Sequence, residues 1–236
     1  MKFEGKNAVF ELINSSLTIE KIQIQDGNCD VKIREIVSLA RAKNVRVDFV
    51  AKNILDKESE TGHHQGVIAY ATEFIYAEFE DVIKRDGRKF FIILDGVMDP
   101  HNLGSVLRIG DCSGVTGIII PKNRSATVNE TVVRVSAGAA AHVPVCKVTN
   151  LVTTIKCLKN IGVWVYAADM DGGELYKSNL KGDVAIVVGG EGDGVSKLVK
   201  SECDGVIKIP MFGKVNSLNA SVSAGIVAYE VVRQNM

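Results

Sequence analysis

After Lys89 the chain carries six short apolar runs bounded by turn-forming residues, FFIILDG, GIIIP, VPVCKV, VWVYAAD, VAIVVGG and GVIKIPM. A strand with one wet face alternates polar and apolar residues, whereas a strand covered on both faces does not. Helical spacing fills the stretches between the runs. Together these features predict an α/β fold built on a mostly parallel sheet covered on both sides. Open sheets of this kind bind ligands beyond the carboxyl ends of their strands, so the informative residues should lie in the loops that follow the runs.

Residues 1–76 read as a separate small αβ unit. A short helix is expected over Asn7–Ile13, a strand around Ile22 and Ile24, and a helix in which Ile33, Ile36, Val37 and Ala40 recur at helical spacing. Val45, Val47 and Phe49 alternate with Arg46 and Asp48 as in a half-buried strand, and Gly66–Ala71 reads as one more. The charged, amphipathic stretch 77–88, closed by Asp86-Gly87, is expected to be a linker, and residues 89–236 a second domain.

With 46% hydrophobic and 24% charged residues, the composition is that of an ordinary globular protein. Lys and Arg total 28 and Asp and Glu total 28, so nucleic-acid binding would need local clustering of positive charge. Cys29, Cys112, Cys146, Cys157 and Cys203 are odd in number, widely spaced and without a CxxC pair; neither a zinc site nor a disulfide framework is expected, and a reducing cytosol fits best. The start, MKFEGKNAVF, lacks the apolar stretch of a signal peptide, and no run approaches the ~20 apolar residues of a membrane span, so a cytoplasmic protein is expected.

Three segments carry chemistry. In the first, Leu94–Arg108, a buried strand enters a turn at Asp99-Pro100 and then a helix bearing Asn102 and Arg108. Taken alone, Asn102 could be a helix cap and Arg108 a solvated charge. In the second, Val184–Ser196, an apolar strand opens into Gly189, Gly190, Gly192 and Gly194 around Glu191. That spacing is not GxGxxG, and no Walker A sequence occurs. Glycines this dense imply sharply bent backbone or close approach to a ligand, while Glu191 could simply favour the N-terminal dipole of a following helix. In the third, Ile207–Gly225, Ser217, Asn219, Ser221 and Ser223 crowd the start of an otherwise apolar helix, more polar groups than capping can use.

Taken together, the segments resemble the three signature motifs of the SpoU branch of the SPOUT methyltransferases: NxGxxxR at Asn102–Arg108, GGEGxG at Gly189–Gly194 and IPMxGxVxSLNxSVSxG at Ile209–Gly225. Arg134–Val145, Gly5–Glu11 and His64–Gly66 are similar to the family as well, so the likeness spans nearly the whole chain, and it is strongest to the RlmB group acting on 23S ribosomal RNA. The resemblance implies ribose 2′-O-methylation of RNA, most directly a guanosine of 23S ribosomal RNA, with transfer RNA as the alternative. It implies S-adenosylmethionine as cofactor, no metal, a homodimer, an N-terminal RNA-binding domain like that of certain ribosomal proteins, and a catalytic domain tied in a deep trefoil knot, which general topology rules would not suggest.

By the same resemblance Gly189, Gly190, Ile209, Pro210, Met211 and Leu218 fall at cofactor-binding positions, and Asn102, Arg108, Glu191, Ser217 and Asn219 at catalytic ones. Arg108 matches an arginine sometimes assigned as general base. Bringing a guanidinium from its ordinary pKa of about 12.5 to 7 would cost roughly 7 kcal/mol, and a phosphate beside it would push the other way. A phosphate clamp and alkoxide stabiliser is the better expectation. His63, His64, His101 and His142 form no recognised site and are expected to be structural or RNA-facing. A non-catalytic RNA-binding protein and a nucleotide-dependent oxidoreductase remain the readings from other classes; the retained polar set argues against the first and the missing GxGxxG against the second.

Overall fold

A computed structural model of the chain describes residues 1–15, 17–192 and 194–236. The N-terminal unit comprises β1 (Lys2–Glu4), α1 (Lys6–Asn14), β2 (Ile19–Gln25), α2 (Val31–Ala42), β3 (Val47–Val50), α3 (Lys52–Glu58) and β4 (Val67–Ala71). Its four-stranded sheet runs β1-β4-β2-β3, with only β2 and β3 parallel. Ile22 and Ile24 of β2 turn inward against Ile33, Ile36 and Ala40, one face of α2 at helical spacing. Both β1 and α3 were absent from the sequence expectation.

Glu4, at the end of β1, ties the following loop down. Its carboxylate accepts hydrogen bonds from Ser59 Oγ (2.6 Å), the Glu60 amide (2.7 Å), and the Thr61 hydroxyl and amide. Burial acts to raise its pKa, but these donors win and bring it from 4.5 down to about 2. A depressed carboxylate contributes stability that is present above the unfolded pKa and lost as pH falls through the folded one. Glu4→Gln is therefore expected to cost about 1–2 kcal/mol at pH 7 after solvent screening. In denaturant titrations the gap from the parent protein should close between pH 4.5 and about 2; a gap independent of pH would contradict this origin.

The stretch expected to be a linker includes α4 (Phe79–Val82) and docks on the second unit. Ala77 donates its amide to Val145 O (2.9 Å), and Val82 is buried among the apolar residues below that unit's sheet. The elements that follow are β5 (Phe90–Asp95), α5 (Pro100–Ser113), β6 (Gly117–Pro121), α6 (Glu130–Val135), β7 (Val145–Val148), α7 (Leu151–Asn160), β8 (Trp164–Glu174), β9 (Val184–Gly189), α8 (Lys197–Glu202), β10 (Gly205–Lys208) and α9 (Ala220–Gln234). The sheet has six strands in the order β10-β8-β9-β5-β6-β7, every pair parallel. Each of the six apolar runs supplies one strand.

Alternation along β5 divides the core. Phe90, Ile92 and Leu94 join Leu103, Val106 and Leu107 of α5 on one face, while Phe91 and Ile93 join Leu151, Ile155 and Leu158 of α7 on the other. The strand order reverses direction between β5 and its neighbours β6 and β9, which opens a crevice at the strand C-termini there. β10 lies at the sheet edge, yet α9 after it packs on α5 and beside β9, so residues 209–219, which form no regular element, run back across those C-termini.

Candidate active site

Helix α5 begins with Asp99, whose side chain accepts the His101 amide (3.0 Å), and with Pro100 in the first turn. The cap is Asp99, so Asn102 is not one. Asn102 is only 4% exposed, and its Nδ2 donates to Glu191 Oε1 at 3.0 Å. Gly104 in the same motif serves packing: a Cβ there would stand 2.7 Å from Val135 Cβ, so only glycine lets α5 lie this close to α6. Arg108, six residues beyond Asn102, emerges on another face of the helix, exposed and without an ion pair among the described residues.

The glycine loop leaves β9 at the crevice. Gly190 donates its amide to Asp95 O (2.8 Å), and the Ser196 amide donates to Asp95 Oδ2 (2.8 Å), so the end of β5 grips both ends of the loop. A Cβ on Gly189 would overlap the backbone of Gly194 and Val195, and one on Gly190 the carbonyl of Gly96. The close approach that forces glycine is thus to the protein's own loops, while Gly192 (φ +96°) and Gly194 (φ +63°) are left-handed turn positions. Gly189→Ala is expected to cost about 2–3 kcal/mol and to spoil the loop. Thermal unfolding together with ligand titration checks this, and an unchanged Tm would contradict it.

Glu191 does not sit at the N-terminus of α8, which starts at Lys197. Its Oε1 instead accepts from Asn102 Nδ2 and from Asn219 Nδ2, each at 3.0 Å. Asn219 in turn caps α9: its Oδ1 accepts the Ser221 amide (2.9 Å), the Ser221 hydroxyl (2.7 Å) and the Val222 amide (3.4 Å). One carboxylate oxygen therefore joins the first turn of α5 to the loops after β9 and β10.

Beside this junction lies a cavity of about 390 Å³, within the range of small-molecule sites. Gly189, Gly190 and Glu191 line it, as do Ile209, Met211 and Leu218, and Ser217 and Asn219 complete the sequence-derived set there. Asn102 reaches the lining through Glu191, whereas Pro210 and Arg108 are not part of it. Ser223, one of the polar residues crowding the start of α9, also lines the cavity, as do Asp169 and Met170 of β8, Lys208 of β10 and Asn216, which were not singled out from sequence. Burial acts to raise the Asp169 pKa, but the Lys200 ammonium at 2.7 Å overrides it and holds the carboxyl below its usual range. The same pair raises Lys200. No group of three or more His, Cys, Asp or Glu is placed to hold a metal ion among the described residues. His64 is structural: its Nδ1 accepts the Gly66 amide (3.0 Å) and its Nε2 faces Asp56 (2.9 Å).

The profile of the SpoU rRNA Methylase family matches residues 89–229, which hold all three converging segments. The chain belongs to this family. A second profile, RNA 2′-O ribose methyltransferase substrate binding, matches residues 3–77. Among relatives of this SpoU chain, a Staphylococcus haemolyticus protein bearing the name of a TrmH family tRNA/rRNA methyltransferase is 47% identical over 98% of this chain and 94% of its own length. YacO of Bacillus subtilis, named for the same family, is 41% identical over the same shares. Among solved structures, the SpoU methyltransferase AviRb of Streptomyces viridochromogenes in complex with AdoMet superposes with a TM-score of 0.79 at 22% identity, over 99% of this chain and 89% of AviRb, a likeness of fold. The SpoU chain is an S-adenosylmethionine-dependent RNA ribose 2′-O-methyltransferase. The cavity fits that cofactor chemically: exposed main chain at strand ends can pair with a purine, Ile209, Met211 and Leu218 can enclose it, and carboxylates suit a sulfonium.

Proposed function

We propose that this SpoU methyltransferase modifies a guanosine ribose of 23S ribosomal RNA, with its reaction centre between the cavity and Arg108. The observation that carries the reading is the Glu191 junction, which locks Asn102 and Asn219 beside a cofactor-sized cavity. Bound S-adenosylmethionine supplies an electrophilic methyl group for in-line displacement. The protein must then align the ribose oxygen and stabilise the alkoxide as its proton leaves. Arg108, exposed on the helix that carries Asn102, clamps an RNA phosphate and stabilises that alkoxide. Gly189, Gly190, Ile209, Met211 and Leu218 hold the cofactor, Pro210 stiffens the backbone between Ile209 and Met211 without facing it, and Ser217, Glu191 and Asn219 shape the pocket around it.

In the same reading residues 1–76 grip the RNA around the target nucleotide, 77–88 join the units and 89–236 perform the transfer. The return of residues 209–219 from the edge strand to the middle of the sheet supports a trefoil knot. Exposed Val222 and Tyr229 on α9, and Phe212 and Val215 in the loop before it, support a homodimer packed near the site.

Removing residues 1–76 is expected to leave a dimer that still binds S-adenosylmethionine but methylates RNA poorly. RNA 2′-hydroxyls are reached on exposed or splayed nucleotides, so a separate gripping domain supplies affinity. Because phosphate contacts make binding salt-dependent, the intact enzyme should lose affinity steeply with salt, and the truncated one should start weaker with a shallower slope. Equal affinity, slope and site choice in the two would remove the N-terminal unit from substrate recognition. In vitro methylation of 23S ribosomal RNA against transfer RNA tests the substrate, and preferential labelling of transfer RNA would overturn that part.

A further inference from the structure

Strand β8 is interrupted where it passes the cavity. Ala167 pairs with Val206 of β10 and Gly173 with Ile207, so residues 168–172 bulge opposite a single peptide step. Pairing with β9 ends at Ala168. Gly172 permits the bulge, since a Cβ there would stand 2.5 Å from the Val206 carbonyl carbon and 2.6 Å from the Ile207 nitrogen. Bulges re-aim side chains and concentrate beside active sites.

This one brings Asp169 to the cavity lining. Its side chain is 14% exposed and pairs at 2.7 Å with Lys200, itself 23% exposed and 3.2 Å from Asp171. Lys200 sits on α8 next to Val199, which is buried under the sheet, so its backbone is anchored. An ion pair taken this far out of water is weakly stabilising at best, so stability does not account for it. Position does. Glu191, the other carboxylate of the lining, already has Oε1 engaged by two asparagines. S-adenosylmethionine carries two sets of hydrogen-bond donors that seek a carboxylate: the ribose hydroxyls on one side of the sulfonium and the α-ammonium on the other.

We propose that Asp169 recognises the cofactor by accepting hydrogen bonds from one of these donor groups, with Lys200 as the positioning residue that fixes the carboxylate at the bulge. The inference rests on reading the cavity as the cofactor site. Calorimetric titration of the full-length protein with S-adenosylmethionine, S-adenosylhomocysteine and 5′-methylthioadenosine tests it. Asp169→Asn should weaken the first two by about ten- to a hundredfold, the scale of a hydrogen bond to a charged group. Methylthioadenosine, which keeps the ribose and lacks the amino acid, should weaken equally if the ribose is the donor and stay unchanged if the ammonium is. Lys200→Gln should produce a smaller loss in the parent protein and none in the Asp169→Asn background, which a general structural defect would not do. If Asp169→Asn fails to fold, Asp169→Glu, which keeps the charge but displaces the carboxylate by one methylene, should show the loss at an unchanged Tm. A parent protein that binds these ligands while the folded variant matches it within about twofold overturns the inference alone. A parent protein that binds none of the three overturns the reading of the cavity as well.

Discussion

Arg108→Ala is expected to abolish methyl transfer while leaving affinity for S-adenosylmethionine within about threefold. Arg108 is exposed on α5 and does not line the cavity, so its removal leaves every cofactor-facing group in place. What it removes is a fixed cation able to bind phosphate bidentately and to face charge developing on the ribose oxygen. Losing one preorganised group of that kind typically costs about 10²–10³ in rate, and losing the RNA contact lowers turnover further at limiting substrate. Arg108→Lys keeps the charge without the fork and should recover only a small part. Single-turnover assays at saturating RNA, paired with calorimetry, separate the two effects. Collapse of cofactor binding in a folded Arg108→Ala protein would assign the residue to the cavity instead.

Glu191→Ala should damage binding and turnover together. It leaves the Asn102 amide buried without its acceptor, worth about 1–3 kcal/mol, and releases the cap residue of α9 from the glycine loop. Cofactor affinity is expected to fall by about tenfold or more. Because both asparagines act through the same oxygen, adding Asn102→Ala should cost much less than it does in the parent protein. Full additivity in that double-mutant cycle would mean that the junction is not a functional unit.

The sheet was legible because strands buried on both faces must be apolar throughout, and each of the six runs became a strand. β1 was not, since three residues with only Phe3 buried carry no period, and α3 hides for a similar reason, burying Leu55 alone. At the site, the motif residues were visible as types in order, but their partnerships were not. Asp99 and Asn102 both suit a helix cap, and only the structure distinguishes the capping residue from the one bonded to Glu191. The glycines of the loop read equally well as ligand contacts or as backbone contacts, and the overlap of Gly189 with Gly194 decides it. Asp169 went unnoticed because its placement depends on a register shift between β8 and β10 and on a lysine from α8, neither of which leaves a local trace.

The most direct test compares 23S ribosomal RNA from cells with and without this chain by mass-spectrometric mapping of ribose methylation. One 2′-O-methylguanosine should be present only in the first, and purified protein with S-adenosylmethionine should restore it to the second. An identical ribose-methylation map in both, or a difference confined to base methylation, would contradict the proposed reaction on this RNA.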